Sequence, residues 1–182
     1  MSDLYVSWEQ YHRHIETLAV QIYESKWQFN QIICLAKGGL RVGDVLCRLF
    51  RQPLAILFSA SYGEDHRRGQ IHFSQHLAML EDTLGDRVLL VDDLVDSGIS
   101  LKETLQWLTE HHGIQPDQIR SAVIWHKKSS VFIPDYYVES LPDNPWIHQP
   151  FEPYEIITAA DLAQRYQDAN QKSDPATLVI EG

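Results

Sequence analysis

Residues Arg87–Ser100 read RVLLVDDLVDSGIS, and this stretch decides the fold. Val88-Leu89-Leu90-Val91 is an uninterrupted apolar run of strand length, the pattern of a parallel-sheet strand covered on both faces. It runs into two carboxylates, Asp92 and Asp93, and then into a tight loop, Asp96-Ser97-Gly98-Ile99-Ser100. A helix is predicted to follow, with Leu101, Thr104, Leu105 and Leu108 on one face. Open α/β sheets bind ligands beyond the carboxyl ends of their strands. Two carboxylates placed there accept hydrogen bonds from a diol or hold a hydrated Mg²⁺. Hydroxyls, a glycine and backbone N–H groups at a helix N-terminus suit a phosphate. A diol reader beside a phosphate cradle fits a ribose 5-phosphate.

Outward from this unit, strands and helices alternate. Ser7, with Gln10 at the box position, predicts a helix start, and Ile15, Leu18, Ala19 and Ile22 form its apolar stripe. His12 and His14 are expected to be solvated. Gln31–Ala36 reads as a buried strand, broken by Lys37-Gly38-Gly39, with a helix over Val42–Phe50. Leu54–Phe58 is a further strand. Ser59–Asp86 is irregular and rich in charge and histidine, although the alternation at Ile71 and Phe73 suggests one arm of a hairpin. Strands are predicted at Ile119–Trp125 and Asp135–Glu139. Pro142, Pro145, Pro150 and Pro153 impose an extended stretch, then a short helix is predicted over Glu155–Gln167. The class is α/β, with an open, mainly parallel sheet flanked by helices. One domain over 1–160 and a polar C-terminal tail over 161–182 are expected.

The 182 residues and 44% hydrophobic content suit one globular domain with a sizeable core. A net charge of −10 argues against nucleic acid or an anionic membrane as the main partner. Small anions remain compatible with it, because backbone N–H groups and a few local lysines can hold a phosphate. Cys34 and Cys47 both fall at predicted core positions and read as reduced thiols. No signal peptide or membrane-spanning run is visible, so the cytoplasm is the expected location.

The Asp92–Ser100 segment resembles the signature for phosphoribosyl pyrophosphate (PRPP) in type I phosphoribosyltransferases. Serine stands at both threonine positions of its loop and keeps the hydroxyl. The stretch Leu35-Ala36-Lys37-Gly38-Gly39-Leu40-Arg41-Val42-Gly43 lies between a strand and a helix, and paired glycines let the backbone approach a ligand closely. By the resemblance, Lys37, Gly38 and Gly39 form the pyrophosphate loop, with a cis-like peptide presenting its amide. Lysine replaces the family's usual arginine, which keeps the charge but loses the bidentate fork. Trp125-His126-Lys127, Tyr137-Val138, Leu141-Pro142 and Trp146-Ile147-His148-Gln149-Pro150-Phe151-Glu152 are similar to the layout of bacterial xanthine-guanine phosphoribosyltransferases, as are Trp8-Glu9 and Ser61-Tyr62. The similarity covers most of Tyr5–Glu152.

That resemblance implies a small hood built from N- and C-terminal parts, a mobile loop, and transfer from PRPP to xanthine, guanine or hypoxanthine with release of pyrophosphate. The product is a nucleoside 5′-monophosphate, as in purine salvage. Asp96 would be the general base at the purine N7. Asp92 and Asp93 would hold the ribose hydroxyls directly or through Mg²⁺, the implied cofactor. Ser97, Gly98, Ile99 and Ser100 would cradle the 5-phosphate. Ser61 and Tyr62 would touch the pyrophosphate from a lid spanning Ser59–Asp86. Lys127 would donate to the 6-oxo group, Trp146 would stack on the base, and Ile147 would offer backbone groups to the 2-substituent. The family's usual glutamate after the Trp-Ile pair is His148 here, which leaves the preferred base open. A homodimer or homotetramer is implied, with PRPP and a purine base as partners and neither nucleic acid nor membrane. Two other readings stay open on the residues: a non-catalytic PRPP or nucleotide sensor on the same fold, and a phosphoribosyltransferase for another base such as a pyrimidine.

Overall fold

The computed structural model describes residues 3–61 and 71–173. The elements run β1 (Leu4–Tyr5), α1 (Trp8–Glu24), β2 (Gln31–Ala36), α2 (Gly39–Phe50), β3 (Leu54–Ser61), β4 (Ile71–Phe73), β5 (Val88–Val91), β6 (Leu94–Val95), α3 (Ile99–His112), β7 (Ile119–Lys127), β8 (Tyr136–Leu141), β9 (Ile147–His148) and α4 (Ala159–Ser173). The main sheet has the order β4-β3-β2-β5-β7-β6, with β8 on the free side of β7. All its pairings are parallel except β3–β4, an antiparallel edge. The fold is therefore the expected α/β class with a mostly parallel sheet.

Alternation along the strands sorts the core into two layers. Ile32 and Cys34 of β2, with Leu89 and Val91 of β5, meet Tyr11, Ile15, Leu18 and Ile22 of α1 and Val42 and Leu46 of α2. Ile33 and Leu35, with Val88 and Leu90, meet Leu101, Trp107 and Leu108 of α3. Burying each such side chain contributes roughly 1.5–3 kcal/mol before the entropy of ordering it is set against the gain. The Ser7–Gln10 capping box is present as read: the Gln10 N–H donates to Ser7 Oγ at 3.2 Å and the Ser7 N–H to Gln10 Oε1 at 2.8 Å.

Several elements depart from the sequence reading. The β5 line does not end at the acidic pair; it resumes as β6, in the same register against β7 (Val91 opposite Ala122, Leu94 opposite Trp125). A two-residue strand carries no period to detect. Strands β1 and β9 pair in parallel as a second, two-stranded sheet, Leu4 opposite Ile147 and Tyr5 opposite His148. The helix placed at Glu155–Gln167 is instead a 3₁₀ turn, Glu152–Glu155, followed by α4, which crosses the boundary drawn at 160 and continues to Ser173. Its start is set by Thr158-x-x-Asp161: Asp161 Oδ2 accepts from the Thr158 N–H and hydroxyl, and the Asp161 N–H returns to Thr158 Oγ1. Cys47 is half-buried and packs against the core from the margin of the buried face of α2, so it borders the core and is not within it. Cys34 is buried, and burial pushes its thiol up to about 12, so it is inert at neutral pH.

Candidate active site

The carboxyl ends of β2 and β5 open into a cleft of about 940 Å³ whose walls include Lys37, Gly38, Arg41, Ser59, Asp92, Asp93, Ser100, Gln149 and Phe151. The Ala36–Lys37 peptide is cis. A Cβ at Gly38 would collide with the Asp93 and Asp92 carboxylates, and one at Gly39 with the Val91 carbonyl. Only glycines let the Lys37 loop lie so close to the acidic pair. α2 then starts with no side-chain cap and no acidic residue in its first turn; the Gly39 N–H points at the Asp92 carboxylate, and the Leu40 N–H donates to the Lys37 carbonyl at 3.2 Å.

Asp92 and Asp93 sit where β5 gives way to β6. The Asp93 N–H donates to Asp92 Oδ1 at 2.9 Å, and Gln149 Nε2 donates to Asp93 Oδ2 at 2.6 Å. Burial, and then the neighbouring Asp93 carboxylate, push the Asp92 carboxyl well above the usual carboxylate range. Two adjacent carboxylates under this repulsion are a natural seat for a divalent cation. Among the described residues there is no group of three or more His, Cys, Asp or Glu side chains fit to hold a metal. The pair therefore suits Mg²⁺, which is characteristically held by one or two carboxylates and completed by water and substrate oxygens.

The Asp96–Ser100 loop leads into α3. Gly98 has φ of 80°, and a side chain there would also strike Ser130 Oγ and Phe132. The Val131 N–H donates to the Ser97 carbonyl at 3.0 Å. The β7–β8 connection thus braces the loop from behind, a role the sequence reading missed because nothing local marks it. Ser97 Oγ accepts from the Ile99 N–H at 3.4 Å, and the Ser100 side chain is exposed at the cleft.

Lys127, at the end of β7, is only 6% exposed. Its Nζ lies 3.2 Å from Asp96 Oδ1, and the carboxylate is largely open to solvent. The plain alternative of a solvated surface lysine is thereby removed. Its neighbour His126 points to the other face, buried against Tyr137 with ring centroids 5.2 Å apart, and burial lowers its pKa.

The β1–β9 sheet leads into the Gln149–Phe151 segment that lines the cleft. Trp146 is 61% exposed, and its Nε1 donates to Glu152 Oε1 at 2.7 Å. Glu152 Oε2 lies 2.8 Å from His148 Nδ1, while His148 Nε2 lies 3.2 Å from Asp3 Oδ2. The His148 ring stacks on Tyr5 at 4.3 Å. The Leu4 and Val6 N–H groups take the Trp146 and His148 carbonyls, so the Ile147 carbonyl between them faces away from that ladder. Gln149, Arg41 and Glu152 were given no role from sequence, although they lie inside the two quoted stretches Leu35–Gly43 and Trp146–Glu152. Ser61 closes β3 opposite Ile71, and Tyr62 lies outside the described residues.

The phosphoribosyl transferase domain family matches residues 7–156. The chain belongs to the phosphoribosyltransferase family. It is 28% identical over 151 residues to the xanthine-guanine phosphoribosyltransferase of Idiomarina loihiensis, covering 82% of this chain and 87% of that protein. A purine phosphoribosyltransferase from Pyrococcus horikoshii superposes with a TM-score of 0.70 at 28% identity, over 87% of this chain and 99% of the other. The Helicobacter pylori xanthine-guanine-hypoxanthine phosphoribosyltransferase shares the fold, with a TM-score of 0.70 at 20% identity over 91% and 99% of the two chains. As a phosphoribosyltransferase the protein is a transferase, and its cleft lies where that fold places ligands, beyond the strand ends at β2 and β5.

Proposed function

We propose that this phosphoribosyltransferase acts on 6-oxopurines, converting xanthine, guanine or hypoxanthine and PRPP to the nucleoside 5′-monophosphate and pyrophosphate. The observation that carries the reading is Lys127 Nζ at 3.2 Å from Asp96 Oδ1. O6 and N7 are neighbouring positions on one edge of a 6-oxopurine. An ammonium donates to O6, and a carboxylate beside it accepts from an N7–H; adenine presents an amino group to the ammonium instead. The purine specificities of the relatives at 28% identity support the same class.

In the reaction the C1′–O bond to pyrophosphate breaks, and its electron pair leaves with the pyrophosphate. The N9 lone pair forms the C1′–N9 bond, and the N7 proton passes to Asp96, acting as general base. Asp92 and Asp93 hold the ribose hydroxyls and would hold Mg²⁺, which when bound neutralises charge on the pyrophosphate oxygens. The Lys37–Gly39 loop meets the departing pyrophosphate. The Ser97–Ser100 loop holds the 5-phosphate at the N-terminus of α3. Trp146 supplies a stacking face and Ile147 a backbone carbonyl for the 2-position.

The test is product formation from PRPP and Mg²⁺ with xanthine, guanine, hypoxanthine, adenine and a pyrimidine base. Monophosphates are expected from the 6-oxopurines. Adenine used as well as hypoxanthine would overturn the base assignment, and a pyrimidine product would reassign the acceptor. PRPP binding without turnover on any base would favour a sensor.

A further inference from the structure

Arg41 is a second cation in the cleft. It lies in the first turn of α2, two residues beyond Gly39, and lines the cavity with Lys37, Gly38, Asp92 and Asp93. Its guanidinium carbon is 4.0 Å from the centroid of the Phe151 ring. Phe151 is itself buried and set edge-on to Tyr11 at 5.7 Å, so the platform under the guanidinium is fixed. A guanidinium stacked on a ring keeps its in-plane N–H donors free.

Those donors have no carboxylate partner among the described residues. Arg13 is paired with Glu9 at 2.7 Å, Arg48 with Asp44 at 3.0 Å, and Arg120 donates to Tyr136 at 2.6 Å. Arg41 instead lines the same cleft as Lys37, Asp92 and Asp93. A magnesium diphosphate would satisfy both charges at once, the aspartates suiting the metal and the cations the phosphate oxygens. Lys37 brings a point charge, and the planar fork that matches two phosphate oxygens is absent at that position.

We propose that Arg41 is a diphosphate-binding residue, supplying from the first turn of α2 the guanidinium fork that Lys37 does not. The inference rests on the phosphoribosyltransferase reading of the cleft and adds a residue to its pyrophosphate subsite. It also assigns Phe151 as the positioning residue that holds the fork in place.

Calorimetric titration with PRPP, with pyrophosphate and with a purine nucleoside 5′-monophosphate, all in Mg²⁺, tests it. Arg41→Ala should weaken PRPP and pyrophosphate roughly 10- to 100-fold, the loss of one or more charged hydrogen bonds. The monophosphate, which lacks the diphosphate, should bind as before. Arg41→Lys should recover only part of the loss, and adding Lys37→Arg to Arg41→Ala should also restore part of it. Arg41 is on the surface of α2, and the melting temperatures of these variants should stay near that of the wild type. Unchanged PRPP affinity in Arg41→Ala, or an equal loss for the monophosphate, would overturn the assignment of Arg41 alone. A wild-type protein that bound neither PRPP nor pyrophosphate would overturn the underlying reading as well.

Discussion

The Lys127–Asp96 pair sets what single residues can do in this site. Each is legible in the sequence by motif, but their contact is not, because it depends on β6 lying against the end of β7 in register. The pair makes two separable predictions. Asp96→Asn keeps the loop geometry and removes the proton acceptor, so turnover should fall about 10²–10⁴-fold while PRPP affinity changes little. Single-turnover kinetics beside PRPP binding would show it, and near-normal turnover would reduce Asp96 to a loop residue. Lys127→Ala removes a charged donor from an almost fully buried position, which should cost roughly 1.5–3 kcal/mol of transition-state binding for guanine, xanthine and hypoxanthine together. Any adenine activity should stay where it is, since an amino group gains nothing from an ammonium. If kcat/KM falls equally for adenine, the lysine supports the loop and does not read the base.

At the level of elements, the long buried strands and the amphipathic helices were readable, because β5 is a continuous apolar run, β2 is one after Gln31, β7 has the apolar centre Ala122–Trp125, and α1 carries both its cap and its stripe. The β1–β9 sheet was not. β1 and β9 have two residues each, and what joins them is a pairing between chain positions some 140 apart, Leu4 with Ile147. Side chains reinforce that pairing through Asp3, His148, Glu152 and Trp146. The hydrogen bond to Asp3, against the opposing effect of burial and with help from Glu152, raises the His148 pKa. A histidine whose pKa is raised by folding stabilises the fold below its ordinary value of about 6.5, and the contribution disappears as pH climbs through the raised value. His148→Asn should therefore lower the melting temperature most in mildly acidic buffer. The gap from wild type should close in alkaline buffer. In parallel, the wild-type KM for the purine should rise with pH as His148, which holds the Glu152 carboxylate bonded to Trp146, loses its charge. A gap that is the same at every pH would mean that His148 acts by packing on Tyr5 and not by charge.

For the whole molecule, an acidic chain with a net charge of −10 must bind a highly anionic substrate. The structure resolves the conflict by segregation: Lys37, Arg41 and two helix N-termini meet in one cleft with the Asp92–Asp93 pair. Composition could not show this, since it reports a sum and not a placement. The arrangement predicts an order of stabilisation. With two carboxylates and no further ligand cluster among the described residues, Mg²⁺ alone should bind weakly and barely move the unfolding transition. PRPP without metal leaves the two carboxylates facing phosphate oxygens and should also stabilise poorly. Both together complete the site. At a concentration about 100 times the dissociation constant, a ligand that binds only the folded state adds about 2.7 kcal/mol. For a chain of this length that corresponds to a rise of roughly 5–11 °C in melting temperature. Differential scanning calorimetry with Mg²⁺, with PRPP, with both, and with both plus excess chelator would separate the contributions. Equal stabilisation by PRPP in the presence of chelator would mean that the Asp92–Asp93 pair serves the ribose hydroxyls directly, without a metal between them.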